Sequence, residues 1–377
     1  MKSVLYVVNI PSPYRVDFFN ELGKYCKLTV IFERKKSYER DEKWNKYEFD
    51  NFRAIFLNGY KIKNFSSLNL NVLPYLDNNK NSVVVLGNYS TPTGIVAITY
   101  LKSKKIPFII SVDGGLINYE ESNFKRSLKT KLISSATSWL STGKATNEYL
   151  NYYGANEERT HIYPFTTMKK KHIIDKPLST SEKEKLRNEL HIPYNNMVLS
   201  VGQFIPRKGF DVLIKAAKKF KEDTGVYIIG GEPTKEYNEL IKQHDINNVH
   251  FLSFLEYEEL NKYYLSADAF VFPTREDVWG LVINEAMANG LPVITTTSCV
   301  AGLEMIDKGI NGYLVGKDDV DQLVEKTNRV LENIELKEKM AKNNLNRANE
   351  YTIENMAKTT YKVLSEFIKK QKENTYD

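Results

Sequence analysis

Short apolar runs alternate with stretches of helical spacing from the first residues onward. In the first half the strand-like runs are Val4 to Ile10, Leu28 to Glu33, Phe52 to Leu57, Val83 to Gly87, Phe108 to Asp113 and Trp139 to Thr142. Between them, Pro13 to Tyr25, Thr93 to Ser103, Phe124 to Ser135 and Thr146 to Tyr153 carry apolar residues at helical intervals. The second half continues with strands at Met197 to Val201, Tyr227 to Gly231, Val249 to Phe254 and Ala269 to Phe272. Helices are predicted from Gly209 to about Lys221, Lys235 to Gln243, Tyr257 to Ser266, Leu281 to Asn289 and Thr352 to Lys370. Near-continuous apolar strands alternating with helices specify doubly wound, mostly parallel α/β sheets, in which ligands meet the loops at the carboxyl ends of strands. A chain of 377 residues exceeds one ordinary core, and Pro164 to Leu178, with the basic triplet Lys169-Lys170-Lys171, has the weak periodicity of a hinge. The expected division is 1–172, 173–351 and a terminal helical segment 352–377.

Two of the loops carry chemistry. Phe272 to Thr296 reads as strand end, acidic loop, short helix and next strand, with Asp277 in the loop and Glu285 in the helix. Met197 to Gly209 reads as a buried strand turning through Gly202 and Gln203 into a loop with Arg207 and Lys208, just before a helix start. Cations beside the free N–H groups of a helix N-terminus form an anion site. Acids placed away from that anion suit a ligand with hydroxyls at both ends, as in a nucleotide sugar. Taken separately, Asp277 can also be read as a cap, Glu285 as a solvated acid and Lys208-Gly209 as a plain turn; together they point to a bound diphosphate.

These two segments resemble glycosyltransferase family 4, a retaining family with the two-domain GT-B fold, over most of residues 195 to 320. The resemblance implies two Rossmann-like domains facing a cleft and a C-terminal helix crossing back to the first. Gly202, Lys208 and Gly209 fall on the family's diphosphate grip, while Gln203 stands where Arg is usual and Arg207 offers a charge nearby. Of the family's two Glu separated by seven residues, Glu285 falls on the ribose-binding one. Asp277 falls on the sugar-binding one, with Glu276 the rival position. Phe254 and Leu255 lie where the family cradles the nucleobase, and Asp113, opening Asp113-Gly114-Gly115, where residues face the sugar and acceptor. Asp113, Lys208 and Asp277 are thus the candidate catalytic residues; Gly202, Gln203, Arg207, Lys208, Phe254, Leu255 and Glu285 are the candidate donor-binding ones. The expected donor is a nucleoside-diphosphate sugar, UDP ahead of GDP, with no metal or other cofactor.

Charge adds the acceptor side. Residues 1 to 176 hold 27 Lys and Arg against 16 Asp and Glu, and the remainder 26 against 31, so an N-terminal balance of +11 opposes −5 within the chain's net +6. The chain has no base-reading module, which argues against nucleic acid and leaves an anionic membrane surface or a lipid-linked glycan acceptor. On the predicted helix after Asn123, Phe124, Leu128, Leu132 and Ile133 share a face flanked by Lys125, Arg126, Lys129 and Lys131, the pattern of an interfacial helix or of one packed on its own sheet. Composition, 42% hydrophobic and 27% charged, is that of a globular protein, and no run reaches membrane-spanning length. A cytoplasmic enzyme, peripheral on the inner face of the cell membrane, is the expectation. Cys26 and Cys299 exclude a disulfide framework. Asp319-Val320-Asp321 superficially offers a metal site but opens a polar helix, where Asp caps. Two rivals keep the architecture: a non-catalytic partner of another transferase, and a sugar-nucleotide epimerase.

Overall fold

The computed structural model describes residues 3–35, 48–62, 66–78 and 82–373. By Cα proximity the chain divides into two units, Met1–Thr166 with Thr352–Asp377, and Thr167–Tyr351.

The first unit is built on a seven-stranded sheet. Its strands are β1 (Ser3–Val8), β2 (Lys27–Phe32), β3 (Arg53–Phe56), β6 (Val83–Leu86), β7 (Phe108–Ser111), β8 (Ser138–Ser141) and β9 (Thr160–Ile162). A small antiparallel hairpin, β4 (Tyr60–Ile62) with β5 (Ser66–Leu68), stands apart from it. The order β3-β2-β1-β6-β7-β8-β9 is parallel throughout. Both faces are covered, so strands such as Val83-Val84-Val85-Leu86 are wholly buried and read as solid apolar runs. The terminal helix Ile353–Glu373 belongs to this unit, and its Tyr361 ring stacks on Tyr25 with centroids 5.5 Å apart.

The second unit holds a six-stranded parallel sheet of β10 (Asn196–Val201), β11 (Thr224–Ile229), β12 (Val249–Leu252), β13 (Ala269–Phe272), β14 (Val293–Thr296) and β15 (Gly312–Val315), in the order β12-β11-β10-β13-β14-β15. Strand order reverses direction between β10 and β13, as it does between β1 and β6 in the first sheet. Loops leaving two such neighbours diverge to opposite faces and open a crevice. In the second unit those two loops are the segments that carry Lys208 and Asp277.

Several boundaries differ from the periodic reading. The helix expected to reach Lys221 ends at Ala217, where Lys219 and Phe220 amides bond the carbonyls of Ala216 and Ala217 in tighter turns. β7 stops at Ser111, leaving Asp113 in the following loop, and β12 stops at Leu252, leaving Phe254 outside the ladder. The hairpin, the strand β9 and the helices Leu73–Asn78, Thr180–Glu189 and Ile334–Glu350 carried no periodic signal strong enough to be read. Helix Asn123–Ile133 divides its apolar face: Leu132 and Ile133 are buried, whereas Phe124 is 79% and Leu128 38% exposed.

At the amino end of β13, opposite the motif loops, Asp268 sits in a cluster of cations. It accepts from Arg187 at 2.5 Å, the Met197 amide at 3.0 Å and Lys337 at 3.3 Å, with Lys183 at 3.9 Å. Burial works against the Asp268 charge, yet Lys183, Arg187 and Lys337 hold its carboxyl below the ordinary range; burial in turn pulls the Lys183 amine down to about 8. Removing the acid strands buried positive charge, a loss worth about 3–5 kcal/mol. Asp268→Ala is therefore expected to lower the urea unfolding free energy by that amount, and a loss under about 1 kcal/mol would show the cluster to be dispensable.

Candidate functional site

Lys208 and Asp277 meet at the crevice of the second unit. After β10 the chain passes Gly202 and exposed Gln203, turns through the 3₁₀ segment Pro206–Lys208, and enters helix Phe210–Ala217 through Gly209. Gly209 has φ +68°, and a side chain there would stand 2.1 Å from the Pro273 carbonyl oxygen, so only glycine lets this turn lie against the loop after β13. From that loop Asp277, nearly buried, accepts from Lys208 Nζ at 2.6 Å, with Arg207 Nη1 at 3.7 Å. The Lys208 ammonium also lies 4.8 Å from the centroid of the Phe272 ring. Cations from one loop and an acid from the other are thus within one hydrogen bond, although 69 positions apart in sequence.

The loop after β13 is itself braced. Asp277 donates its amide to Ser298 O at 2.9 Å and accepts from the Val300 amide at 3.1 Å. Gly280, at φ +100°, opens helix Leu281–Ala288 where a Cβ would lie 2.6 Å from Cys299 Sγ. Trp279 is buried, and its indole N–H donates to Asn284 Oδ1 at 2.9 Å. Glu276 is exposed while Asp277, the acid that the spacing favours, faces the cations.

Glu285 stands within helix Leu281–Ala288 and accepts from the Tyr264 hydroxyl at 2.9 Å. Burial raises its carboxyl from the ordinary range to about 7, against the opposing effect of hydrogen bonds from Tyr264 and Thr167. Phe254 and Leu255 follow β12, the first 38% exposed and the second partly covered. Asp113 belongs to the first unit. Buried Arg15, in helix Pro13–Gly23, donates to its carboxylate, and the Tyr163 hydroxyl donates to Oδ1 at 3.2 Å. Asp319 accepts from the Gln322 amide at 2.9 Å as the cap of helix Val320–Leu331, and Asp321 pairs with Lys219. Among the described residues no group of three or more His, Cys, Asp or Glu is placed to hold a metal ion.

Three pairings went unread in the sequence. Arg15 is the partner of Asp113, Tyr264 the partner of Glu285, and Arg275 joins both motif loops. Arg275 lay inside the segment already singled out. A cation among acids at the end of a buried strand was the available signal.

Known proteins share sequence and fold with this chain. The sequence model of the family described as Glycosyl transferases group 1 matches residues 182–347. An uncharacterized glycosyltransferase of Methanocaldococcus jannaschii is 29% identical over 196 residues, 48% of this chain and 55% of that protein. The lipopolysaccharide glucosyltransferase WaaG of Escherichia coli is 24% identical over 230 residues, 60% of this chain and 59% of its own. The chain spans about half the length of the curated relatives it matches. Among solved structures, HepE of Anabaena in complex with UDP and glucose superposes with a TM-score of 0.76 at 16% identity, covering 97% of this chain and all of that one.

If Glu285 meets the nucleotide as a carboxylate, affinity must depend on pH. With ionisation near pH 7 the charged fraction rises about tenfold between pH 6 and 8, so nucleoside diphosphate affinity is expected to rise about tenfold more in the wild type than in Glu285→Gln, as measured by titration calorimetry. Parallel pH profiles in the two proteins would remove Glu285 from the binding site. Folding stability runs the other way: a carboxyl raised on folding favours the fold below about pH 4.5 and loses that contribution as pH climbs through 7.

The two parallel sheets and their solved counterparts establish the GT-B fold, and residues 182–347 match within it as a group 1 glycosyl transferase domain.

Proposed function

We propose that the protein is a retaining glycosyltransferase of the family 4 type, moving a hexose-type sugar from a nucleoside-diphosphate donor, UDP ahead of GDP, to a glycan acceptor. The observation that carries this reading is the convergence of Lys208 and Arg207 with Asp277 at the switch point of the second sheet. Departure of a nucleoside diphosphate leaves negative charge that fixed donors must meet, each such donor being worth about 3–4 kcal/mol. Lys208 is the direct donor. Arg207, whose side chain is partly exposed, adds charge at the edge and stands in for the Arg replaced by Gln203. Asp277 takes hydroxyls of the sugar, Glu285 those of the ribose, and the backbone near Phe254 and Leu255 receives the base. Asp113, oriented by Arg15 and Tyr163, meets the sugar or acceptor. In this reading transfer proceeds without a metal ion. Solved structures of HepE with UDP and with UDP-glucose support the donor class.

The acceptor in this proposal is lipid-linked and destined for a surface polysaccharide, with the enzyme resting on the inner face of the cell membrane. Support comes from the basic balance of residues 1 to 176, from exposed Phe124 and Leu128 beside Lys125, Arg126 and Lys131, and from the likeness to a lipopolysaccharide glucosyltransferase. Lys129 is less available, since it pairs with Glu121 at 2.8 Å. No helix among the described residues is long and apolar enough to cross a membrane.

Lys208→Ala is expected to lower kcat/KM about 100-fold in a transfer assay scored against a panel of nucleotide sugars. In the same assay Asp277→Asn should depress kcat while sparing affinity for the free diphosphate, and Glu285→Gln should weaken that affinity. Unchanged turnover in Lys208→Ala would end the assignment of the phosphate grip.

Vesicles rich in acidic lipid are expected to bind the protein at low salt and release it as salt rises, because about 1 kcal/mol is available per basic residue at such a surface and is screened beyond a Debye length. Changing Lys125, Arg126 and Lys131 to Ser should weaken that binding in a sedimentation assay. Indifference of the wild type to acidic vesicles would redirect the basic half towards a soluble anionic acceptor.

A further inference from the structure

We infer that Arg275 is a positioning residue for the phosphate-binding turn, holding Pro206–Lys208 at the height from which Lys208 meets the donor. Its backbone amide donates to Arg207 O at 2.8 Å and its Nη1 to Pro206 O at 2.6 Å, so one residue grips two successive carbonyls of that turn. The remaining side-chain donors reach outward. Nη2 bonds Asp211 at 2.7 Å, in the first turn of helix Phe210–Ala217, and Nε bonds Asp318 at 2.6 Å, in the loop after β15. Neighbours repeat the tie: Thr274 Oγ1 donates to Arg207 O at 3.0 Å, and Arg207 Nη1 donates to Glu276 O at 2.6 Å.

Two features separate this role from direct phosphate binding. The guanidinium charge is already answered by two carboxylates, Asp211 and Asp318, which leaves little for a third anion. Its N–H groups also point at carbonyls of the turn, the geometry of a brace. The turn needs one, because Pro206 and Arg207 are exposed and a 3₁₀ segment of three residues has weak internal hydrogen bonds. Planar guanidinium donors spread over three directions span these partners, and a Lys ammonium on the same stem does not.

This inference rests on the donor reading of Lys208, and the test separates the two. Calorimetry with UDP, GDP, dTDP and ADP first identifies the diphosphate that the wild type binds. For that nucleotide, Arg275→Ala is expected to weaken affinity at least tenfold, while affinity for the matching nucleoside without phosphates stays within twofold. Arg275→Lys should recover less than half of the loss on a logarithmic scale. Should Arg275→Ala fail to fold by thermal melting, Asp318→Asn releases one anchor while keeping a residue that tolerates the φ of +62° there, and an approximately threefold loss of diphosphate affinity is expected. Wild-type affinity in Arg275→Ala and Asp318→Asn, alongside a weakened Lys208→Ala, would overturn the positioning role and leave the donor reading standing. An equal fall in nucleoside affinity would also overturn it, by showing a general structural role. Failure of the wild type to bind any of the four diphosphates would overturn the donor reading and this inference with it.

Discussion

The adjacency of β10 and β13 in a parallel sheet is the constraint on which the site depends. Strand order reverses there, so the chain leaves the two strands on opposite sides and both loops return over the same crevice. Everything else refines that meeting. Gly209 permits backbone contact with Pro273, Arg275 and Thr274 lace one loop to the other, and Lys208 closes on Asp277 at the tip. An ion pair at an exposed surface would contribute at most about 1 kcal/mol. This one lies in a largely covered place between rigid strand ends, where orientation matters more than its net contribution to stability.

The two ends of the second sheet divide the labour. Asp268, at the amino end, gathers Arg187, Lys183 and Lys337 and joins helices Thr180–Glu189 and Ile334–Glu350 to the strands. Four residues later the same strand delivers the loop that carries Asp277. Charge at the first end is answered by three cations around one acid; at the second, Lys208 and Arg207 converge on Asp277 in the proposed donor site. Glu285 differs from both, its desolvated carboxyl meeting hydroxyls rather than cations.

How much of this was legible in the sequence follows from how each feature is encoded. Parallel strands buried on both faces read as apolar runs, so β1, β6, β10 and β13 could be found directly. The Lys208 turn and the Asp277 and Glu285 spacing are local patterns, and the resemblance to a known family rests on them. Spacing favours Asp277 over Glu276, because seven residues separate it from Glu285; the direction each side chain takes lies outside what spacing encodes. Arg275 and the Arg15 to Asp113 pair escaped because their meaning lies in partners 64 or 98 positions away. The hairpin β4 with β5 and the short strand β9 were missed because three-residue elements carry too few positions to show a period.

A crystal structure with a nucleoside diphosphate bound tests the central claim most directly. The account predicts a phosphate oxygen within hydrogen-bond distance of Lys208 Nζ, the ribose hydroxyls on the Glu285 carboxylate, and the Pro206–Lys208 turn unmoved against Arg275. A nucleotide bound elsewhere, with Lys208 still closed on Asp277 and Glu285 in contact with no ribose hydroxyl, would contradict it.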